Sequence, residues 1–207
     1  MQGIGLLSIG SHTGIWLQDE LKKFSNKKNI LIEPVPYNID QLKENTKKFK
    51  DVVIEKCAVS DRDETISFFY LKKDSIHKLK KHWASGIGSF DKSHLLNHRS
   101  KRFLITDEHI EETKVNCISF ETLKKKYAIK SIDKLIIDAE GAEFKILNSI
   151  NYNEIEIKNI LFEKKHFDGY MKQSEKLNNI KQKLEANHYI LKDIDEENIL
   201  ATLKNST

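Results

Sequence analysis

Short apolar runs alternate with amphipathic segments over most of the chain, and no other feature narrows the possible folds as much. "IGLLSIG" (4–10), "NILIEPV" (29–35), "DVVIEKCAVS" (51–60), "IDKLIIDAE" (132–140) and "IKNILFEKK" (157–165) are apolar stretches of strand length. Between and after them, "TGIWLQDELKKF" (13–24), "NIDQLKENTKKF" (38–49), "ETLKKKYAI" (121–129), "GAEFKILNSI" (141–150) and "SEKLNNIKQKLEANH" (174–188) have helical spacing, with Asn38 placed as an N-cap. Strands without an outward polar face must be covered on both sides. The alternation therefore predicts an α/β fold, with a mostly parallel sheet and helices on both faces. "TISFFYL" (65–71) and "TKVNCISF" (113–120) predict further strands. "YILKDID" and "NILATLK" predict a closing hairpin turning at Glu196 and Glu197, which makes the last strand antiparallel. Residues 72–110 break the rhythm. They are rich in Lys and His around "SGIGS", and they are expected to form an irregular or partly helical insert within one domain spanning 1–207.

Composition removes several classes of function. The 207 residues are 39% hydrophobic and 32% charged, enough for one sizeable core. No apolar run approaches the roughly 20 residues of a membrane span, and "MQGIGLLSIG" lacks the marks of a signal peptide. Cys57 and Cys117 lie inside strand-like runs, far from any metal-ligand spacing, and are read as buried thiols of a cytoplasmic protein. The net charge is only +4, and its cations are Lys apart from Arg62, Arg99 and Arg102. A nucleic-acid groove would show Arg and aromatics interleaved on one face. Neither nucleic acid nor membrane is expected as a partner.

Ligands of open parallel sheets bind beyond the carboxyl ends of the strands. The polar residues at those ends are Ser8 with Gly10, His12 and Gly14; Glu33; Ser60 and Asp61; Asp138 and Glu140; and Glu163 with His166. "GSHTG" is neither the dinucleotide fingerprint nor a Walker loop. Gly10 still permits a sharp turn and Gly14 opens the next helix. Glu33, ending the second strand, is placed to accept hydrogen bonds from ribose hydroxyls, and together these residues favour an adenosine-containing cofactor. Asp138 is the first candidate for a general base or acceptor clamp, with Glu163 and His166 as alternatives. The structural alternative is that Asp138 and Glu140 cap the helix expected at Gly141. Glu143 is read as a solvated helix residue. Asp138, Glu163 and His166 also form a mixed oxygen and nitrogen set, but an ordinary strand exit is the preferred reading and no metal is expected. His77, His82, His94, His98 and His109 are read as irregularly spaced, matching no metal pattern.

The order "LLSIGSHTGIW", "ILIEPVPYNIDQLKEN", "EKCAVSDRDETISFF", "CISFETLKKKYAIKSIDKLIIDAEGAEFKIL" and "ILFEKKHF" closely resembles the FkbM-type methyltransferases over most of the chain. The most specific pieces are E-P-x-P-x-N from Glu33 and I-D-x-L-x-I-D-x-E-G-x-E ending at Glu143. The resemblance implies a Rossmann-like class I methyltransferase fold with a seven-stranded sheet. It also implies S-adenosylmethionine as cofactor and O-methylation of a sugar or small metabolite. By position it puts Gly10, His12 and Gly14 in the cofactor loop and Glu33 on the ribose. Ala58, Val59, Ser60 and Asp61 then lie near the adenine, and Asp138, Glu140 and Gly141 form the acidic motif. Ser8 and His12 stand where relatives carry Asp and Asn, and the first strand begins almost at Met1, ahead of which relatives usually have a segment. The competing readings are a degenerate, non-catalytic partner protein and a nucleotide-sugar or dinucleotide enzyme; the missing G-x-G-x-x-G disfavours the last. "WASGIGSFDKSHLLNHR" resembles a segment of some relatives and implies a lid anchored by Trp83, Ser89 and Phe90. Within residues 72–102, Lys72, Lys73, Lys78, Lys80, Lys81, Lys92, Arg99, Lys101 and Arg102 stand against only Asp74 and Asp91. That excess predicts an anionic acceptor, against the alternative of a solvated Lys-rich loop.

Overall fold

The computed structural model describes residues 3–79, 82–98, 104–167 and 175–204. The first half supplies β1 (Gly3–Ile9), α1 (Gln18–Lys23), β2 (Lys28–Ile32), α2 (Pro36–Thr46), β3 (Val52–Glu55), β4 (Ala58–Ser60) and β5 (Glu64–Leu71). The insert holds α3 (Lys73–Leu79), a 3₁₀ turn over His82–Ser85 and α4 (Lys92–Asn97). The second half supplies β6 (Ile110–Ser119), α5 (Phe120–Lys126), β7 (Ser131–Ile137), α6 (Glu143–Ser149), β8 (Glu156–Glu163), α7 (Glu175–Ala186), β9 (Tyr189–Asp193) and β10 (Asn198–Leu203).

The main sheet has seven strands in the order β3-β2-β1-β7-β8-β10-β9. All pairings from β3 to β8 are parallel, and β10 runs antiparallel to both neighbours. The α/β expectation holds because alternate residues of the inner strands bury on opposite faces. Leu6, Leu31 and Ile136 pack with Leu17, Leu21 and Leu42 of the first helical segments. Leu7, Ile30 and Leu135 pack with the side of α5, α6 and α7 carrying Leu123, Ile146 and Ile180.

Several boundaries differ from expectation. The run 51–60 is two strands: β3 edges the main sheet, while β4 leaves it and pairs with β6, forming a second sheet of order β4-β6-β5. The 113–120 strand is therefore in the small sheet. The first helix also starts late, with a 3₁₀ turn at Ile15–Leu17 ahead of α1. In α2, Pro36 occupies the first turn, where its missing N–H costs nothing; Val35 is the N-cap and Asn38 lies inside the helix. Cys57 and Cys117 are free and buried. Among the described residues, no helix is long and apolar enough to cross a membrane.

Sheet order reverses between β1 and β7, because β1 leads out to β2 and β3 whereas β7 leads to β8. The crevice beyond their carboxyl ends is where such sheets bind ligands.

Candidate active site

A cavity of about 460 Å³ opens at this reversal, lined by the ends of β1, β2, β7 and β8, the 57–59 segment and part of the insert. Its size is that of a small-molecule site.

The first wall is the β1–α1 loop. Gly10 N and Ser11 N both donate to Ile32 O (3.0 and 2.9 Å), and the Ser11 hydroxyl accepts from Ile32 N (3.1 Å). Gly10 has φ +81°, and a Cβ there would lie 1.7 Å from Asp138 O. Only glycine lets this loop pass so close to the β7 exit. His12 sits at φ 51°, a left-handed conformation that asparagine and glycine adopt more readily. Its N–H donates to Glu33 Oε2 (2.8 Å). Glu33 Oε1 accepts from Val35 N (3.0 Å) and Asn38 Nδ2 (3.2 Å). The E-P-x-P-x-N pattern thus has a mechanical reading: Asn38, in the first turn of α2, holds the carboxylate and also donates to Ser85 O of the insert (2.8 Å). His12 Nε2 meets Ser85 Oγ at 2.6 Å. Burial raises the Glu33 pKa to about 7, against the opposing effect of its three hydrogen bonds.

The second wall is acidic. Asp138, Glu140 and Glu163 line the cavity beyond β7 and β8, joined by Asp195 and Glu197 of the β9–β10 turn. Asp138 is exposed where it lines the cavity; the protein around it still disfavours its charged form and raises its pKa, and the Glu140 charge adds to the shift. Burial likewise raises Glu140 and Glu163, with Asp138 and Glu140 reinforcing the effect on Glu163. Lys165 is the one Lys or Arg lining the cavity among the described residues. It pairs with Glu163 Oε1 (2.6 Å) and Glu197 Oε2 (3.1 Å). Burial works against its charge, but these partners and Glu140 raise its pKa.

Neither Asp138 nor Glu140 caps a helix. Helix α6 starts at Glu143 with Ala142 as N-cap and no side-chain cap bond. Glu143 itself, expected to be solvated, is fully buried. Its two oxygens accept from Ala139 N (2.6 Å) and Gly141 N (2.9 Å), so it staples the acidic loop from beneath. Burial raises its pKa to about 8, against the opposing effect of hydrogen bonds from its own backbone and from Ala139.

Of the residues singled out in the sequence, Gly10, His12, Glu33, Asp138 and Glu163 share the cavity, with Ala58 and Val59. Gly14, Ser60, Asp61 and His166 do not line it. Gly14 (φ +71°) turns the chain against Leu42, where a Cβ would approach to 2.4 Å. The Ser60 hydroxyl bonds Asp61 Oδ1 (3.0 Å). His166 packs against His94 and His98, apart from the carboxylate group of Asp138, Glu143 and Glu163. The trio Asp138, Glu163 and His166 is thus divided between two clusters. The insert meets the acidic loop through Ser89, whose hydroxyl donates to Glu140 O (2.9 Å), and Phe90 packs edge-on to Phe68 (5.4 Å). The Trp83 side chain, and Lys80, Lys81, Arg99, Lys101 and Arg102, lie outside the described residues.

A family profile described as "Methyltransferase FkbM domain" matches residues 8–191. No curated protein matches the chain in sequence. Among solved structures, the fibrillarin pre-rRNA processing protein of Methanococcus jannaschii aligns with a TM-score of 0.50 at 9% identity, over 99% of this chain and 68% of that one. Precorrin-6y C5,15-methyltransferase from Geobacter metallireducens GS-15 aligns at 0.47 and 10% identity, over 98% and 81%. Aeropyrum pernix fibrillarin, solved with natively bound S-adenosyl-L-methionine, aligns at 0.47 and 11% identity, over 97% and 67%. At such identities the likeness is one of fold alone.

Proposed function

The chain belongs to the FkbM methyltransferase family, and on that premise we propose that it O-methylates a hydroxyl of a sugar or small metabolite, with S-adenosylmethionine as donor. The observation that carries this reading is Glu33: a buried carboxylate at the end of β2, held from three sides and lining the same cavity as Asp138. The residues present fit the cofactor that membership implies. Glu33 is built to accept ribose hydroxyls, Gly10 leaves the loop without a side chain, and Cys57, Ala58 and Val59 offer an apolar strip for a base. Bound there, the cofactor supplies an electrophilic methyl group on a positively charged sulfur.

The protein's part is alignment, exclusion of water and removal of one proton. Asp138 takes the proton of the acceptor hydroxyl; its raised pKa brings it nearer the working pH, where a general base is most effective. Glu163, paired with Lys165, and Glu140 hold the acceptor's other polar groups. The acidic lining favours a cationic sulfonium beside a neutral, hydroxyl-rich acceptor. An anionic acceptor would draw on the insert's Lys and Arg side chains, several of which lie outside the described residues.

Calorimetry with S-adenosylmethionine, S-adenosylhomocysteine and NAD tests the reading. The first two are expected to bind and NAD is not. Failure of both adenosyl ligands to bind at millimolar concentration overturns it.

A further inference from the structure

Two segments distant in sequence bring three imidazoles together at the edge of the acidic loop, and a third adds a carboxylate. His94 and His98 stand one turn apart at the end of α4, and His166 follows β8. Glu140, after β7, completes the group. The ring centroids are 4.5 Å (His94–His166), 4.7 Å (His94–His98) and 5.6 Å (His98–His166) apart. One ligand atom from each of the four residues lies within 4.8 Å of the others. We propose that His94, His98, His166 and Glu140 form a binding site for one divalent transition-metal ion of the Zn²⁺ type, which fastens the insert to the ends of β7 and β8.

The donor chemistry selects the ion. Three imidazole nitrogens and one carboxylate oxygen suit zinc and its neighbours, whereas magnesium and calcium require oxygen-rich shells. Four protein ligands make a closed, structural site rather than one with an open catalytic position. The convergence is specific: Glu140 Oε2 lies 2.7 Å from His94 Nε2 and 3.6 Å from His166 Nε2. His98 is oriented as metal ligands are. Its Nδ1 is 2.9 Å from the His94 carbonyl oxygen. A carbonyl only accepts, so Nδ1 carries the hydrogen and Nε2 is the ring nitrogen of coordinating type. Tetrahedral ligands at about 2.0–2.1 Å from zinc stand roughly 3.3 Å apart, so closure asks the His94–Glu140 pair, now 2.7 Å apart, to open slightly and the more widely spaced ligand atoms, now up to 4.8 Å apart, to draw in. Burial of His94 and His166 (5% and 1% exposed) removes competing water.

The consequence reaches the cavity through Glu140. Its carboxylate touches the cluster on one side and lines the cavity on the other, and its carbonyl oxygen accepts from Ser89. The three histidines do not line the cavity. The ion would fix the wall that Glu140 and α4 form without touching the reacting atoms. The sequence signal was His-x-x-x-His at 94 and 98, a helical ligand pair hidden among the other histidines of the insert.

The test uses the full chain, stripped with a chelator, dialysed and titrated with Zn²⁺ in competition with a chromophoric chelator. Uptake of one equivalent is expected, with a rise in Tm. His98→Gln and His166→Gln are each expected to weaken that uptake at least tenfold and abolish the Tm rise. The Co²⁺ form of the wild type should show the intense visible bands of tetrahedral coordination. Circular dichroism of the metal-free variants checks their folding; should one be unfolded, Glu140→Gln replaces it. No stoichiometric uptake, or uptake unchanged in folded variants, overturns the site. Because no S-adenosylmethionine is present, the outcome is independent of the proposed methyl transfer.

Discussion

Glu33, on one side of the cavity, accepts three hydrogen bonds between 2.8 and 3.2 Å. Asp138, on the other, accepts none among the described residues and stands in a group with Glu143 and Glu163. The first carboxylate is fixed by the fold before any ligand arrives, so binding costs it little reorganisation. The second is left facing like charges that, among the described residues, only Lys165 offsets within the cavity. A bound cation or an incoming proton relieves that repulsion. One half of the cavity is therefore built for recognition, and the other is poised for charge change.

The largest expected effect tests the poised half. Asp138→Asn keeps shape and removes basicity. Turnover with a cognate acceptor should fall by about 10²–10⁴-fold while cofactor affinity, read by calorimetry, changes little. Unchanged turnover would leave the proton transfer to another group and erase the contrast with Glu33. The next effect concerns the hinge between the halves. Gly10→Ala forces a Cβ onto Asp138 O at a positive φ and should lower stability by about 2–4 kcal/mol in urea denaturation. Near-normal stability would show that the two strand ends can separate.

The recognition half yields a smaller effect. Glu33→Ala should weaken S-adenosylmethionine binding by about 1–3 kcal/mol through loss of charged hydrogen bonds, with turnover at saturation nearly intact. A comparable loss of turnover would mean that Glu33 also serves the transfer step.

These contrasts were unevenly legible in the sequence. The parallel sheet showed because strands buried on both faces must be apolar throughout, and Glu33 showed because it ends such a run before Pro34. The division of 51–60 did not: the run reads as one strand, and the break at Lys56–Cys57 depends on β4 finding β6, where Ala58 pairs with the distant Cys117. Glu143 was misread because its helical spacing beside Lys145 looks solvated. Its true role depends on two backbone N–H groups that the left-handed turn at Glu140 and Gly141 leaves free. His94 and His98 were obscured because their partners, Glu140 and His166, arrive only when β7 and β8 lie side by side. Ser60, Asp61 and Gly14 carried family positions, but the cavity surface passes them by.

The buried carboxylates also predict a pH effect. Burial pushes the Glu143 carboxyl up to about 8 and the Glu33 carboxyl up to about 7, from an ordinary 4.5. A carboxyl group whose folded pKa is raised contributes stability that is full below its unfolded value and is lost as pH rises through the folded one. Stability measured from pH 5 to 8.5 should therefore decline. Glu143→Gln, which cannot ionise, should lose less over that range, by roughly 3–4 kcal/mol. Parallel curves for the two proteins would mean that the staple stays charged throughout.

The smallest effect separates the two acceptor classes. If the poised half meets a neutral, hydroxyl-rich acceptor, its carboxylates engage the substrate through hydrogen bonds at contact, where mobile ions do not intervene. Raising the salt concentration should then change kcat/KM by less than about threefold, because screening acts on charges separated by roughly a Debye length, about 8–10 Å at physiological salt. An anionic acceptor would behave differently. The acidic lining would repel it at close range, and its encounter would depend on exposed cations of the insert, such as Lys72 and Lys73. Screening weakens that steering, so kcat/KM would fall about tenfold from low to high salt. Replacing Lys72 and Lys73 with Gln would flatten the fall without altering cofactor affinity. A flat salt profile in the wild-type protein leaves those lysines as ordinary solvated surface, and assigns acceptor choice to Glu140, Glu163 and Lys165.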